Sequence, residues 1–256
     1  VFKNIIFDGG SGGRFNNIRY TGALSIHNTK NIQLKNISML NNANFDDMLH
    51  IVYTKNLKID TIDIENSYMD AIDIDMSNNI EIKNAIIKNS GNDAIDLMES
   101  DVVVTDTKLD NSKDKAISVG ENSFLILNNS ILLKNNIGVA TKDNSFSFIL
   151  HSNLNRNNIP FNNYIKNWRY GDGGVTKVYK SKLKNNDKIK IDKKSTIQLI
   201  NSTINNKYFE ESILSKKDNI NHLLILNNNK YNVIKKKLEN KGINLTNKAN
   251  YVGSNL

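Results

Sequence analysis

The sequence predicts an all-β fold, a single right-handed parallel β-helix with coils of about 22–25 residues, and three observations predict it. A repeat runs through more than half of the chain, each copy carries two short runs of alternating apolar residues, and the composition is rich in Ile and Asn. Ile favours strands. Asn favours tight corners, because its side chain bonds nearby backbone and tolerates a left-handed φ.

The repeat comes first. Copies start at Gly22, Asp47, Asp70, Asp93, Lys115 and Ile137. In the copy DAIDIDMSNNIEIKNAIIKNS the apolar-alternating runs are Ala71–Asp75 and Ile80–Ile87. Such alternation marks strands with one buried face. Two or three strands in so short a repeat leave no room for a helix. Stacking each coil on the last then pairs equivalent strands in parallel, about 4.8 Å apart. Two positions into each copy stand Leu24, Leu49, Ile72, Ile95, Ile117 and Val139; four positions in stand Ile26, Ile51, Ile74, Leu97, Val119 and Thr141. These columns are the expected core. A second apolar pair of columns holds Ile59 and Ile62, Ile82 and Ala85, and Val104 and Thr107. A column of Asn (41, 66, 89, 111, 135 and 157) is expected to stack at one corner.

The flanks depart from the repeat. Residues 1–21 read as a first coil interrupted by GGSGG, a surface loop without the Lys-Ser/Thr of a phosphate cradle. Asn167–Gly174, NWRYGDGG, holds the only Trp and is an excursion that covers a face or stacks on a sugar. Lys188–Ile204 reads as one more coil. The β-helix is assigned to 1–206, and 207–256 to a C-terminal cap with a short helix over Tyr231–Glu239, since a solenoid's end strands need cover.

Composition bounds the rest. The chain has 256 residues, 39% hydrophobic and 23% charged, which places it among globular chains. Cysteine is absent, which excludes disulfides and thiolate metal sites. No apolar run is long enough to span a membrane. The net charge is +8, but Arg stands only at 14, 19, 156 and 169, with no interleaved stacking aromatics. Nucleic acid is therefore not the expected partner; a solvated lysine surface or an anionic polymer is. The start at Val1, without a leader, suggests a mature chain or an excised domain of a secreted or cell-surface protein.

The outward columns carry the chemistry. If Ile72 and Ile74 point inward, Asp73 and Asp75 point outward. The strip gathers Asp47, His50, Asp70, Asp73, Asp75, Asp93, Asp96 and Lys115. Asp73 and Asp96 are expected about 5 Å apart on adjacent strands. Like charges so placed cost stability, and such pairs share a proton or a cation. Asp at a coil start can also simply cap a turn, a reading that fits Asp47, Asp70 and Asp93 better than Asp73 and Asp96.

The phrases DAIDID, GNDAIDL and DKAISVGENS resemble the pectate-lyase-like superfamily of right-handed parallel β-helices, most of all the repeat modules of secreted bacterial proteins that sit beside spore-coat-kinase-like domains. The resemblance covers 1–158 well and 159–206 loosely. It is specific for fold; the superfamily holds lyases, hydrolases, epimerases, tailspikes and adhesins.

Three functions follow. In a calcium-assisted polysaccharide lyase, Asp70, Asp73, Asp93 and Asp96 hold Ca2+, and Lys115 is the base that removes a proton beside a uronate carboxylate. Some lyases of the superfamily resemble this plan. In a glycoside hydrolase, paired Asp residues cleave the bond, although the GHG and RIK motifs of polygalacturonase-like members and the DPHD of uronate epimerases are missing. In a non-catalytic module, the strip binds glycan hydroxyls or structural calcium. His50 shares the column of Asp73 and Asp96 and is a candidate acid or base. The expected partner in each case is an extended polysaccharide, of acidic type.

Overall fold

A computed structural model describes residues 1–42 and 46–215. The described chain is almost entirely β, with one three-residue 3-10 turn at Trp168–Tyr170. Two sheets dominate. A 14-stranded sheet runs from Phe2–Asp8 through Thr196–Ile204, and an 8-stranded sheet runs from Leu24–His27 through Lys190–Ile191. In both, strands of successive coils pair in parallel, so the chain is a parallel β-solenoid. Parallel crossovers of this kind wind right-handed. The expected short helix over Tyr231–Glu239 lies outside the described residues.

The expected register is the observed one. Leu49 pairs with Ile72, Ile72 with Ile95, Ile95 with Ile117, and Ile117 with Val139. Ile59 pairs with Ile82 and Ile62 with Ala85. These side chains are fully buried in one continuous core. Each buried Ile or Leu contributes roughly 1.5–3 kcal/mol. Thr141 lies inside too, but in a polar patch: its hydroxyl bonds Ser147 Oγ at 2.7 Å and Thr176 Oγ1 at 2.9 Å.

The Asn column splits in two. Asn66, Asn89 and Asn111 adopt φ near 60° at an exposed corner, and each donates its amide to the Asn of the preceding coil. Asn135 does not continue this column; Lys134 takes the left-handed corner instead, at φ 56°. Asn135 is buried one position later, and its carbonyl oxygen accepts from the Ser112 N–H at 2.9 Å. Asn157 and Asn186 repeat that bond in the next coils. Equal residue type at near-equal spacing concealed two roles, an outer amide ladder and an inner cap on backbone. At the corner that ends the 8-stranded sheet, a serine column does similar work. The N–H groups of Thr54, Ser77, Ser100 and Ser123 donate to Ser77, Ser100, Ser123 and Ser145 Oγ.

After the last coil, Lys207–Ser215 pairs antiparallel with Thr196–Ile204. This reversal occupies the edge of the large sheet that another coil would otherwise extend.

Lys177 stands out on the large sheet. It is 1% exposed, aligned between Phe148 and Gln198, and its ammonium makes no hydrogen bond among the described residues. Burial pushes it down to about 8, against the smaller opposing pull of Glu211. The unfolded chain therefore binds more protons above pH 8, so stability rises between about pH 8 and 10.5. Lys177→Met should raise stability at pH 7 by about 2–3 kcal/mol and flatten that alkaline rise in denaturant titrations.

Candidate functional site

The site lies on the outer face of the 8-stranded sheet. His50 pairs with Asp73, Asp73 with Asp96, and Asp96 with Ser118. Ile72 and Ile74 are wholly buried on the inner face. Period-two alternation leaves Asp73 and Asp75 no other side to occupy.

The strip is less open than its outward direction suggests. Asp73, Asp75 and Asp96 are only partly exposed, and Asp47, His50, Asp70 and Asp93 are buried. The side chains shield one another, and carboxylates in such a setting resist ionisation. Burial raises Asp73 to about 10, with Asp75, Asp47 and Asp96 adding repulsion. Burial and the neighbouring Asp93 raise Asp70 to about 8. Asp93 rises to about 7 by burial, tempered by Lys115. Asp47 rises to about 6 by burial, tempered by the Thr21 hydroxyl.

Two of the predicted ligands are occupied by the scaffold. Asp70 Oδ1 accepts from the Asp93 N–H at 2.7 Å and from Asn92 Nδ2 at 2.9 Å. Asp93 Oδ1 accepts from the Lys115 N–H at 2.8 Å. Asp70 and Asp93 thus each cap the first residue of the next coil, a capping role on backbone like the turn cap expected at that position, but reaching across coils. Among the described residues Asp73 and Asp96 make no such inter-coil cap; Asp96 Oδ1 accepts the N–H of Leu97 beside it, at 3.0 Å.

Lys115 does not stand free. Its ammonium bonds Asp114 and lies 3.5 Å from both oxygens of Asp93. Burial opposes its charge, but Asp93 and Asp114 more than offset this and hold it protonated above the usual lysine range. A general base needs the opposite balance. The sequence placed Lys115 beside Asp93 correctly, but gave no sign that Asp114 would turn back onto it.

His50 ties the strip together. Thr21 Oγ1 donates to Asp47 Oδ2 at 2.8 Å and lies 2.6 Å from His50 Nδ1. With its hydrogen committed to Asp47, the hydroxyl accepts from Nδ1–H. That leaves His50 Nε2 facing Asp75 Oδ2 at 3.4 Å and Asp73 Oδ2 at 3.5 Å. His27 packs edge-on against His50 at 5.2 Å and tilted against Tyr20 at 4.8 Å. Burial and the adjacent His50 lower His27. Thr21, Tyr20 and His27 belong to this assembly, and the repeat pattern by itself did not mark Thr21 or Tyr20. Thr21 immediately precedes the repeat start at Gly22, a position where only stacking reveals its place.

Cation ligands converge at one place among the described residues: Asp47, His50 and Asp73, each with a ligand atom within 4.8 Å of the others. The expected set Asp70, Asp73, Asp93 and Asp96 does not form such a group. One imidazole nitrogen with two carboxylates suits a borderline metal better than calcium, which takes oxygen ligands throughout.

No family model matches the chain, and no curated protein matches it. Among solved structures, the enzymatically active domain of the bacteriophage CBA120 tailspike protein 2 is 10% identical, with a TM-score of 0.44, over 69% of this chain and 36% of that one. The chain thus spans about a third of that domain's length. A hyperthermoactive exopolygalacturonase from Thermotoga maritima is 11% identical, with a TM-score of 0.45, over 84% of this chain and 83% of that one.

Proposed function

We propose that this face binds an extended polysaccharide and hydrolyses it, with Asp73 as the acid and Asp96 as its partner carboxylate. One observation carries the reading: Asp73, on a strand in register with Asp96, is a carboxyl held neutral by burial and by its acidic neighbours. A protonated carboxyl beside a second carboxylate is the pairing that glycoside hydrolysis needs. The strands that carry the two groups are adjacent and in register, with backbones about 4.8 Å apart, a spacing compatible with the carboxyl separation of about 5 Å that suits a double displacement with retention. In the first step an Asp96 oxygen attacks the anomeric carbon, and Asp73 gives its proton to the departing glycosidic oxygen. In the second, water attacks that carbon, its proton passes to Asp73, and the Asp96 carboxylate leaves. His50 Nε2 lies between Asp75, at 3.4 Å, and Asp73, at 3.5 Å, with Thr21 and Asp47 fixing the ring behind it.

Cation-assisted elimination is the second reading, favoured by the convergence of Asp47, His50 and Asp73. A bound cation would supply charge neutralisation at the substrate carboxylate; Lys115, locked to two carboxylates, is poorly set as the base.

The two readings give different products. Polysaccharides incubated with the protein should release new reducing ends without the ultraviolet absorbance of an unsaturated sugar. Asp96→Ala should cut that release roughly a thousand-fold or more while leaving the melting profile close to the parent's. Absorbance that depends on an added divalent cation, calcium or a borderline metal such as zinc or manganese, and disappears with chelator would instead establish elimination. Binding without any product would make the face a recognition module.

A further inference from the structure

The excursion at residues 165–174 is a built feature. Its base is fixed by Asp143, wholly buried, whose Oδ1 accepts the N–H groups of Lys166 and Asn167, each at 2.7 Å. Asn167 Oδ1 caps the 3-10 turn by accepting the Arg169 N–H at 3.1 Å. Tyr170 Oη reaches Glu99 Oε1 at 3.5 Å, so the loop returns across two coils to a residue three positions past Asp96. Held in this way, Trp168 is nonetheless 79% exposed, with the Arg169 guanidinium 6.0 Å from its ring centroid. Arg169 makes no ion pair among the described residues. A large exposed ring on a hydrogen-bonded loop, paired with a free planar cation, contributes nothing evident to the core. A flat apolar surface beside a guanidinium matches a sugar ring that carries a carboxylate.

The rim that carries Glu99 also carries Tyr53, two coils earlier and 60% exposed. Asp73, Asp75 and Asp96 occupy the sheet face that this rim borders, Asp73 and Asp75 on the coil after that of Tyr53 and Asp96 on the coil of Glu99, which the loop reaches. The coil spacing of about 4.8 Å is close to the length of one pyranose unit.

We infer that Trp168 and Arg169 form a subsite for an acidic sugar of a polysaccharide laid along the solenoid axis, Trp168 stacking on the ring and Arg169 pairing with its carboxylate. The inference rests on the reading of the Asp73–Asp96 strip as a glycan site and names its substrate class as uronate-containing.

The test measures binding of the parent, Trp168→Ala and Arg169→Gln to polygalacturonate, alginate and hyaluronate, each beside its carboxyl-reduced form. Thermal melting checks that each variant is folded. The parent should bind one acidic polymer better than its reduced form. Trp168→Ala should weaken binding to both forms about ten-fold, and Arg169→Gln should weaken only the acidic form, also about ten-fold. Parent binding that neither variant disturbs overturns the subsite and leaves the Asp strip standing. Equal binding of acidic and reduced polymers overturns the acidic class. A parent that binds none of the polymers overturns the subsite together with the glycan reading it rests on.

Discussion

Asp73→Asn should make the protein more stable and abolish turnover at the same time. In the unfolded chain this carboxyl is ionised at pH 7. In the folded chain burial and four neighbouring carboxylates keep it protonated, with a value raised to about 10. Folding at pH 7 therefore takes up a proton, at about 1.36 kcal/mol for each pH unit separating the unfolded value from pH 7. Asn keeps the shape and asks for no proton, so the gain should be about 2–4 kcal/mol. The sign is fixed by linkage: a carboxyl raised on folding contributes stability that is complete below about pH 4 and is lost as pH rises toward its folded value. The parent should therefore lose stability from pH 4 through neutrality, and Asp73→Asn should lose less. Denaturant titrations at several pH values would show both effects. Turnover should fall roughly a hundred- to ten-thousand-fold, because the amide has no proton to give the leaving oxygen. A variant that is destabilised and still active would remove Asp73 from the acid role.

Ile74→Asp, one residue further along, should do the opposite. Ile74 is fully buried, stacked between Ile51 and Leu97. A carboxylate there meets no partner and leaves a void. The loss should exceed about 5 kcal/mol, comparable with the whole stability of many domains. Circular dichroism and protease sensitivity at room temperature should report an unfolded chain. The contrast between neighbouring positions 73 and 74 tests the inward-outward alternation on which the site depends. A folded Ile74→Asp variant would mean that the strand had slipped by one residue.

The fold was largely legible in the sequence because the solenoid is written as repetition. The alternation at Ile72, Asp73, Ile74 and Asp75 determined which face each side chain takes, and the spacing of copies determined that Asp73 would meet Asp96. What the pattern could not convey is crowding. Outward direction implied exposure for Asp70 and Asp93, yet both are buried, because each carboxylate folds onto the backbone of the coil above. Lys115 looked like a free base from its column alone; the residue before it, Asp114, pairs with it. The Asn column misled in a related way, since Asn135 is the equivalent of Ser112 and not of Asn111, and so stands at the inner corner. Contacts that join distant positions, such as Thr21 with His50 or Tyr170 with Glu99, left no trace in any single repeat.

In-register stacking has a consequence for how such a protein can change. Because strands lie directly over their equivalents, the separation along the axis between Asp96 and Asp143, the residue that holds the base of the Trp168 loop, is set by whole windings. Inserting or deleting one 23-residue unit would shift the aromatic platform by a single step of about 4.8 Å and leave local geometry at both ends intact. Intermediate spacings are forbidden by the hydrogen-bond ladder. The distance between groups on different coils can therefore change only in whole numbers of windings.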